Sequence, residues 1–108
     1  SLRNLSKPHP LLNLSKGGIT FTSLEKFNLN EKLMTQLMIP EEDLLNLRAQ
    51  VKWKGQQDSR GVMIIGAKFM PFGSRRGWNT IESLDALRRL DEKYKMEEKK
   101  SVDQQNIW

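Results

Sequence analysis

Three residues near the start of this chain are of types suited to holding a polar ligand: Asn13, Ser15 and Gly18, in the run Asn13-Leu14-Ser15-Lys16-Gly17-Gly18. Asparagine and serine carry short donors and acceptors that either fold back on nearby backbone or point at a ligand. The glycine pair tolerates positive φ and leaves backbone N–H groups open to close approach. Ile19-Thr20-Phe21-Thr22 follows at once, and its apolar/polar alternation predicts a half-buried strand entered from a polar turn. On the rim of a barrel such a turn makes a ligand platform. The same three residues also suit a turn that the fold needs with or without a ligand.

Catalytic chemistry has little to stand on. The chain has one histidine and no cysteine, which removes disulfides, thiolate zinc sites and cysteine nucleophiles together. His9 lies between Pro8 and Pro10 and is expected to be a solvated loop residue. Glu41-Glu42-Asp43, after Pro40, reads as a solvated turn rather than a metal cluster. Glycine-rich phosphate loops of the Walker or dinucleotide type are absent. The expectation is a non-enzymatic protein with no catalytic residues, no metal ligands and no cofactor.

The elements that must position the turn follow from periodicity. Leu33, Thr35, Leu37 and Ile39 share one face of a strand, with Met34, Gln36 and Met38 on the other. Over residues 45–54, Leu47, Ala49, Val51 and Trp53 alternate with Arg48, Gln50, Lys52 and Lys54, so the first set is expected inside and the second in solvent. A loop from Gly55 to Gly61 leads into a strand over residues 62–70, which returns antiparallel as a hairpin. Gly66 within it suggests a bulge or a close backbone approach. Both faces of that strand carry apolar residues, so it is expected to be covered on both sides. A helix follows. Asn79 or Thr80 can cap it, with Asn79-Thr80-Ile81-Glu82 at capping-box spacing, and Leu84, Leu87, Leu90 and Tyr94 form a core-facing stripe. The resulting fold class is all-β with an appended C-terminal helix, an antiparallel barrel closed on itself.

Length bounds this to one domain, since the chain has 108 residues. Residues 1–9 read as an irregular lead-in, expected to be partly vector-derived because the chain opens on Ser1. Residues 10–96 read as the domain, and residues 97–108 as a flexible polar tail. No apolar run is long enough for a membrane span, so no membrane insertion is expected, and the default location is the cytoplasm. The formal charge of +5 is uneven: residues 1–78 carry twelve basic and six acidic side chains, while residues 80–100 carry six of each. The surplus therefore falls on the strands and favours anionic partners. Nucleic acid is not expected among them, because the exposed basic positions show no interleaved aromatic side chains for bases to stack on.

The order of these segments, with Asn13-x-Ser15-x-x-Gly18 at the front and Ile65-Gly66-Ala67-Lys68-Phe69 near the end, resembles the PilZ domain family over residues 10–95. The resemblance implies a small bacterial β-barrel and a cyclic di-GMP receptor or effector module. It assigns ligand contacts to Asn13, Ser15 and Gly18. The family's other motif, Arg-x-x-x-Arg, lies upstream, and here Arg3 stands in the first place with Lys7 in the second, nine residues separating Arg3 from Asn13. Arginine's planar, bidentate fork suits phosphates and guanine edges. Two lost charge-assisted bonds, each about 1.5–3 kcal/mol, weaken binding by roughly two to four orders of magnitude. The resemblance thus implies a weakened or incomplete site, with Arg75 and Arg76 as substitute guanidiniums. The alternative is a ligand-independent adaptor in bacterial motility, pilus or exopolysaccharide machinery, contacting a protein partner through the helix, Trp78, Met34 and Met38.

Overall fold

The computed structural model describes the backbone of residues 3–4 and 8–106 and the side chains of residues 8–94. Six strands precede one helix: β1 (Arg3–Asn4), β2 (Leu11–Leu14), β3 (Gly18–Ser23), β4 (Lys32–Leu37), β5 (Leu45–Lys54), β6 (Met63–Phe69) and α1 (Ile81–Asn106). They form one sheet in the order β1-β4-β5-β6-β3-β2. Every pairing is antiparallel except the two-residue β1, which runs parallel to β4. The architecture is mostly β with a C-terminal helix.

The sheet is not the closed cylinder expected from the sequence. Among the described residues no pairing joins β1 to β2, so the ladder keeps two edges. Both edge strands are short, two residues in β1 and four in β2, and offer few backbone groups with which to complete a ring. Leu11, Leu12 and Leu14 of β2, the Met38–Pro40 segment beyond β4, and Leu90 and Tyr94 of α1 line a groove of about 840 Å³.

Alternation places the core on one face of the sheet. Ile19 and Phe21 of β3, Leu33 and Leu37 of β4, Leu47, Ala49 and Val51 of β5, and Ile65, Ala67 and Phe69 of β6 are all buried. Phe27, from the β3–β4 connection, and Leu87 of α1 complete the cluster. Full burial of such side chains contributes about 1.5–3 kcal/mol each. Thr35 is the polar member of the strand core, and it is satisfied because its hydroxyl donates to the Leu47 carbonyl at 2.8 Å. The helical stripe behaves as its spacing predicts: Leu87 and Leu90 are buried, and Leu84 and Tyr94 half-buried. Lys93 fixes the helix from outside, its Nζ 2.6 Å from Glu42 Oε1 on the β4–β5 turn. No helix among the described residues is long and apolar enough to cross a membrane.

Three local expectations change. Trp53 is 48% exposed rather than in the core. Opposite β6, Val51 pairs with Ala67 and Trp53 with Gly66, so β5 carries one extra residue at Lys52, a bulge that turns Trp53 outward. The outer face of β6 is correspondingly uncovered by any second layer, with Ile64 and Lys68 exposed. His9 is not a solvated loop residue. Its side chain is 8% exposed, Nε2 lies 3.0 Å from Glu25 Oε2, and the ring packs against Phe21 and Phe27 at centroid distances of 5.5 and 6.1 Å. An imidazole beside two phenyl rings buries apolar surface that a solvated loop would leave wet.

Of the two residues expected to be able to cap α1, Thr80 does so, since the Ser83 N–H donates to Thr80 Oγ1 at 3.1 Å. Asn79 is 4% exposed and ties strands together instead. Its Oδ1 accepts the Arg48 N–H at 2.7 Å, while its Nδ2 donates to the Arg48 carbonyl at 2.9 Å and the Met70 carbonyl at 3.0 Å. One amide thereby satisfies backbone groups within β5 and just past the end of β6 and fixes where α1 departs. Removing it strands these groups away from water, at a cost of about 1–3 kcal/mol. The exposed Thr80 cap is replaceable by water at its N–H, so Asn79→Ala is expected to destabilise more than Thr80→Ala in urea unfolding.

Candidate ligand-binding groove

The Asn13–Gly18 run splits between strand and turn. Asn13 and Leu14 end β2, Gly18 begins β3, and residues 15–17 make the turn. The turn is closed by the Ser15 N–H donating to the Gly18 carbonyl at 3.0 Å. The Ser15 hydroxyl is committed to the same turn: its Oγ accepts the Gly17 and Gly18 N–H groups at 3.2 and 3.3 Å, and its O–H donates to the Gly18 carbonyl at 3.4 Å. Asn13 differs. Its side chain is exposed and engages no partner among the described residues.

The glycines are not there for positive φ, which neither Gly17 nor Gly18 adopts. A Cβ on Gly18 would overlap the Ala67 carbonyl oxygen, because Gly18 pairs with Lys68 where β3 lies tightly along β6. A Cβ on Gly17 would meet only Ser15 Oγ, at an ordinary 3.8 Å. Strand packing thus requires Gly18 whether or not a ligand is bound.

What surrounds the turn was only partly visible in the sequence. Asn13, Ser15, Gly18 and Thr20 line a shallow groove of about 280 Å³ with Lys52, Trp53, Gly66 and Lys68. A second groove of about 350 Å³ shares Gly17, Lys52 and Lys68 with the first and continues past Lys16 and Gln50 to Pro71 and Phe72. Neither is lined by an acidic residue. Three lysines around polar side chains and one indole make a surface that attracts anions and offers a flat apolar platform beside them. The volumes lie near the lower end of, or below, the roughly 300–1,000 Å³ of enclosing ligand pockets, so this face cradles one side of a ligand. Lys52 and Lys68 could be read as outward from alternation. Trp53 could not, because the bulge breaks the period; its one signal was Gly66 on the opposing strand.

The remaining sequence candidates are not gathered here. Arg3 sits on β1, paired with Leu33, at the ladder edge opposite β2. Lys7 lies outside the described residues. Arg75 stands over the Trp78 ring, 5.3 Å from its centroid, and neither Arg75 nor Arg76 lines either groove. The premise that no aromatic side chain accompanies the exposed lysines also falls, since Trp53 stands between Lys52 and Lys54 with Lys68 beside it on the same groove. Asp58, in the β5–β6 loop, holds that loop together. The Arg60 guanidinium donates to its Oδ2 at 2.9 Å, and the Val62 N–H donates to its Oδ1 at 2.9 Å. These contacts, the Arg60 side chain first, hold its carboxyl below the usual range. No group of three or more metal-ligating side chains occurs among the described residues.

Comparison of the chain with protein families, with curated proteins and with solved structures finds no match.

The two glycines separate packing from ligand chemistry. Gly18→Ala is expected to destabilise by about 1–3 kcal/mol through forced separation of β3 and β6, and Gly17→Ala to stay within about 0.5 kcal/mol. Urea denaturation of both variants checks the ranking.

Proposed function

We propose that this chain is a non-enzymatic, cytoplasmic, PilZ-like signalling module whose groove beside the β2–β3 turn receives cyclic di-GMP. One observation carries the reading. Asn13, Ser15 and Gly18, singled out by motif alone, border the same groove as Lys52 and Lys68, which bring positive charge to a motif that lacks the arginine pair beside it. In this reading Asn13 supplies the free donor and acceptor, Ser15 and Gly18 hold the turn that presents it, and the lysines face the phosphates. Lysine binds phosphate as a point charge rather than as a fork, so affinity is modest and falls with added salt. The resemblance carries a barrel closed on itself, and the sheet keeps two open edges, so the proposal is supported by the motif, the segment order and the groove.

Isothermal titration with cyclic di-GMP tests this. Binding by the wild-type chain is expected, weakened roughly 10- to 150-fold by loss of one charge-assisted contact in Lys52→Ala or Lys68→Ala, and weakened also in Asn13→Ala. Ser15→Ala is a poor discriminator, because it disturbs the turn itself. Absence of heat with the wild-type chain, with its native N-terminus confirmed, removes the receptor reading.

A second reading, the ligand-independent adaptor, has an observation of its own. Met38 is 58% exposed and Leu12 55% exposed, both bordering the apolar groove between β2 and α1. Met and Leu at the mouth of such a groove suit an adaptable protein contact. If cyclic di-GMP is silent, capture of a motility, pilus or exopolysaccharide component that survives in the wild-type chain and is lost in Met38→Glu is the expected result. Equal capture by both ends this reading.

A further inference from the structure

Trp53 has an unusual seat. A Cβ built on Gly66 would collide about equally with Nε1 and Cε2 of the indole and less closely with Cδ1. An approach across the ring edge at Nε1–Cε2 would leave Cδ1 much farther away, so the closeness of all three atoms puts the glycine under the ring face. The indole therefore lies flat on β6, in the slot that a glycine leaves open across the strands, and any other residue at position 66 would displace it. Yet Trp53 remains 48% exposed, although Gly66 beneath it is buried. One face of the ring is spent on the sheet, and much of the rest faces the groove that Lys52, Lys68 and Asn13 border.

A rigidly seated aromatic surface next to cations has a definite ligand chemistry. It stacks a planar ring while the ammonium groups meet an attached anion, the combination that a nucleotide presents. Base-on-aromatic stacking is sequence-tolerant and contributes about 1–3 kcal/mol per base. Successive bases of a strand need successive platforms, whereas Trp53 is the one aromatic among the exposed large apolar side chains of the described residues. The arrangement fits one base, not a polynucleotide.

We propose that Trp53 is the base-stacking residue of this groove, that it takes a purine of an anionic nucleotide, and that Gly66 is the positioning residue which keeps its indole flat on β6. The inference rests on reading the groove as a nucleotide site and adds to it the contact for the base, which neither the Asn-x-Ser-x-x-Gly run nor the lysines provide.

The test follows the indole Nε1–H resonance of Trp53, assigned by its loss in Trp53→Ala, in ¹H–¹⁵N spectra. Three probes are titrated in turn: GMP, ribose 5-phosphate and cyclic di-GMP. GMP is expected to shift the Trp53 resonance, and ribose 5-phosphate, which has the phosphate without the base, to leave it in place. Trp53→Ala is expected to weaken GMP binding roughly 5- to 150-fold, with Trp53→Phe recovering most of it. Gly66→Ala is expected to weaken binding as well, with the fold checked by its methyl spectrum. A Trp53 resonance unmoved by both GMP and cyclic di-GMP overturns the inference. So does wild-type affinity for GMP in Trp53→Ala. The two proposals separate cleanly: cyclic di-GMP bound equally by wild type and Trp53→Ala sinks the stacking role and spares the receptor, and a GMP-dependent shift without cyclic di-GMP binding does the reverse.

Discussion

One extra residue in β5 decides what the two faces of this sheet are for. Up to Val51 the strand alternates in register with β6, and Val51 meets Ala67 in the core. At Lys52 the alternation slips, so that Lys52 and Trp53 are both exposed before the strand ends. A strand without the slip would bury the indole and leave Lys52 alone outside. With it, a cation and an aromatic surface arrive at one place on the outer face, and Gly66 provides the flat ground that the ring needs. Bulges serve this purpose elsewhere, re-aiming a side chain at the cost of one ladder position.

The inner and outer faces consequently divide the work. Stability resides inside, in the apolar cluster that runs from Ile19 through Leu47 and Val51 to Leu87. Two of its buried polar side chains are answered by backbone: Thr35 by the Leu47 carbonyl, Asn79 by Arg48 and Met70. That matters because an unanswered polar group in such a core costs more than a hydrogen bond normally contributes. The outer face carries Asn13, Lys52, Lys68 and Trp53, none of which the core requires. Within the short motif at the β2–β3 turn the same division recurs. Gly18 is held by the approach of β3 to β6 and Ser15 by its own turn, which leaves Asn13 as the member free to meet something else.

Much of this was legible in the sequence where period and burial agree. The bounds of β5, those of β6 to within a residue at each end, the inward Leu33, Thr35 and Leu37 of β4, the helical stripe and the outward lysines all follow from alternation, because one face of each element is buried and fixes the register. Three kinds of feature were not legible. Ladder closure depends on how many backbone groups the edge strands can offer, and nothing in Leu11–Leu14 or Arg3–Asn4 declares how short those strands are. Trp53 departs from alternation through a bulge, of which Gly66 on the opposing strand was a sign, but nothing in β5 itself says which residue the slip turns outward. His9 and Asn79 look like loop and cap residues locally, yet each is recruited by distant partners, Phe21 and Phe27 for the one and Arg48 and Met70 for the other. Long-range recruitment of a polar side chain leaves no mark at its own position.

The outermost strand, β2, has a consequence for how this protein would register an event at its surface. Among the described residues β2 hydrogen-bonds along one side only, to β3, and its four residues are mostly exposed. A segment with so few buried contacts opens far more often than the whole domain unfolds. Asn13 and Ser15 belong to that opening unit or border it, whereas Lys52 and Lys68 belong to the interior strands. Anything that bridges the two sets would fasten a fraying hem to a firm seam, so occupancy would be written as slower amide exchange along β2 without any change of shape.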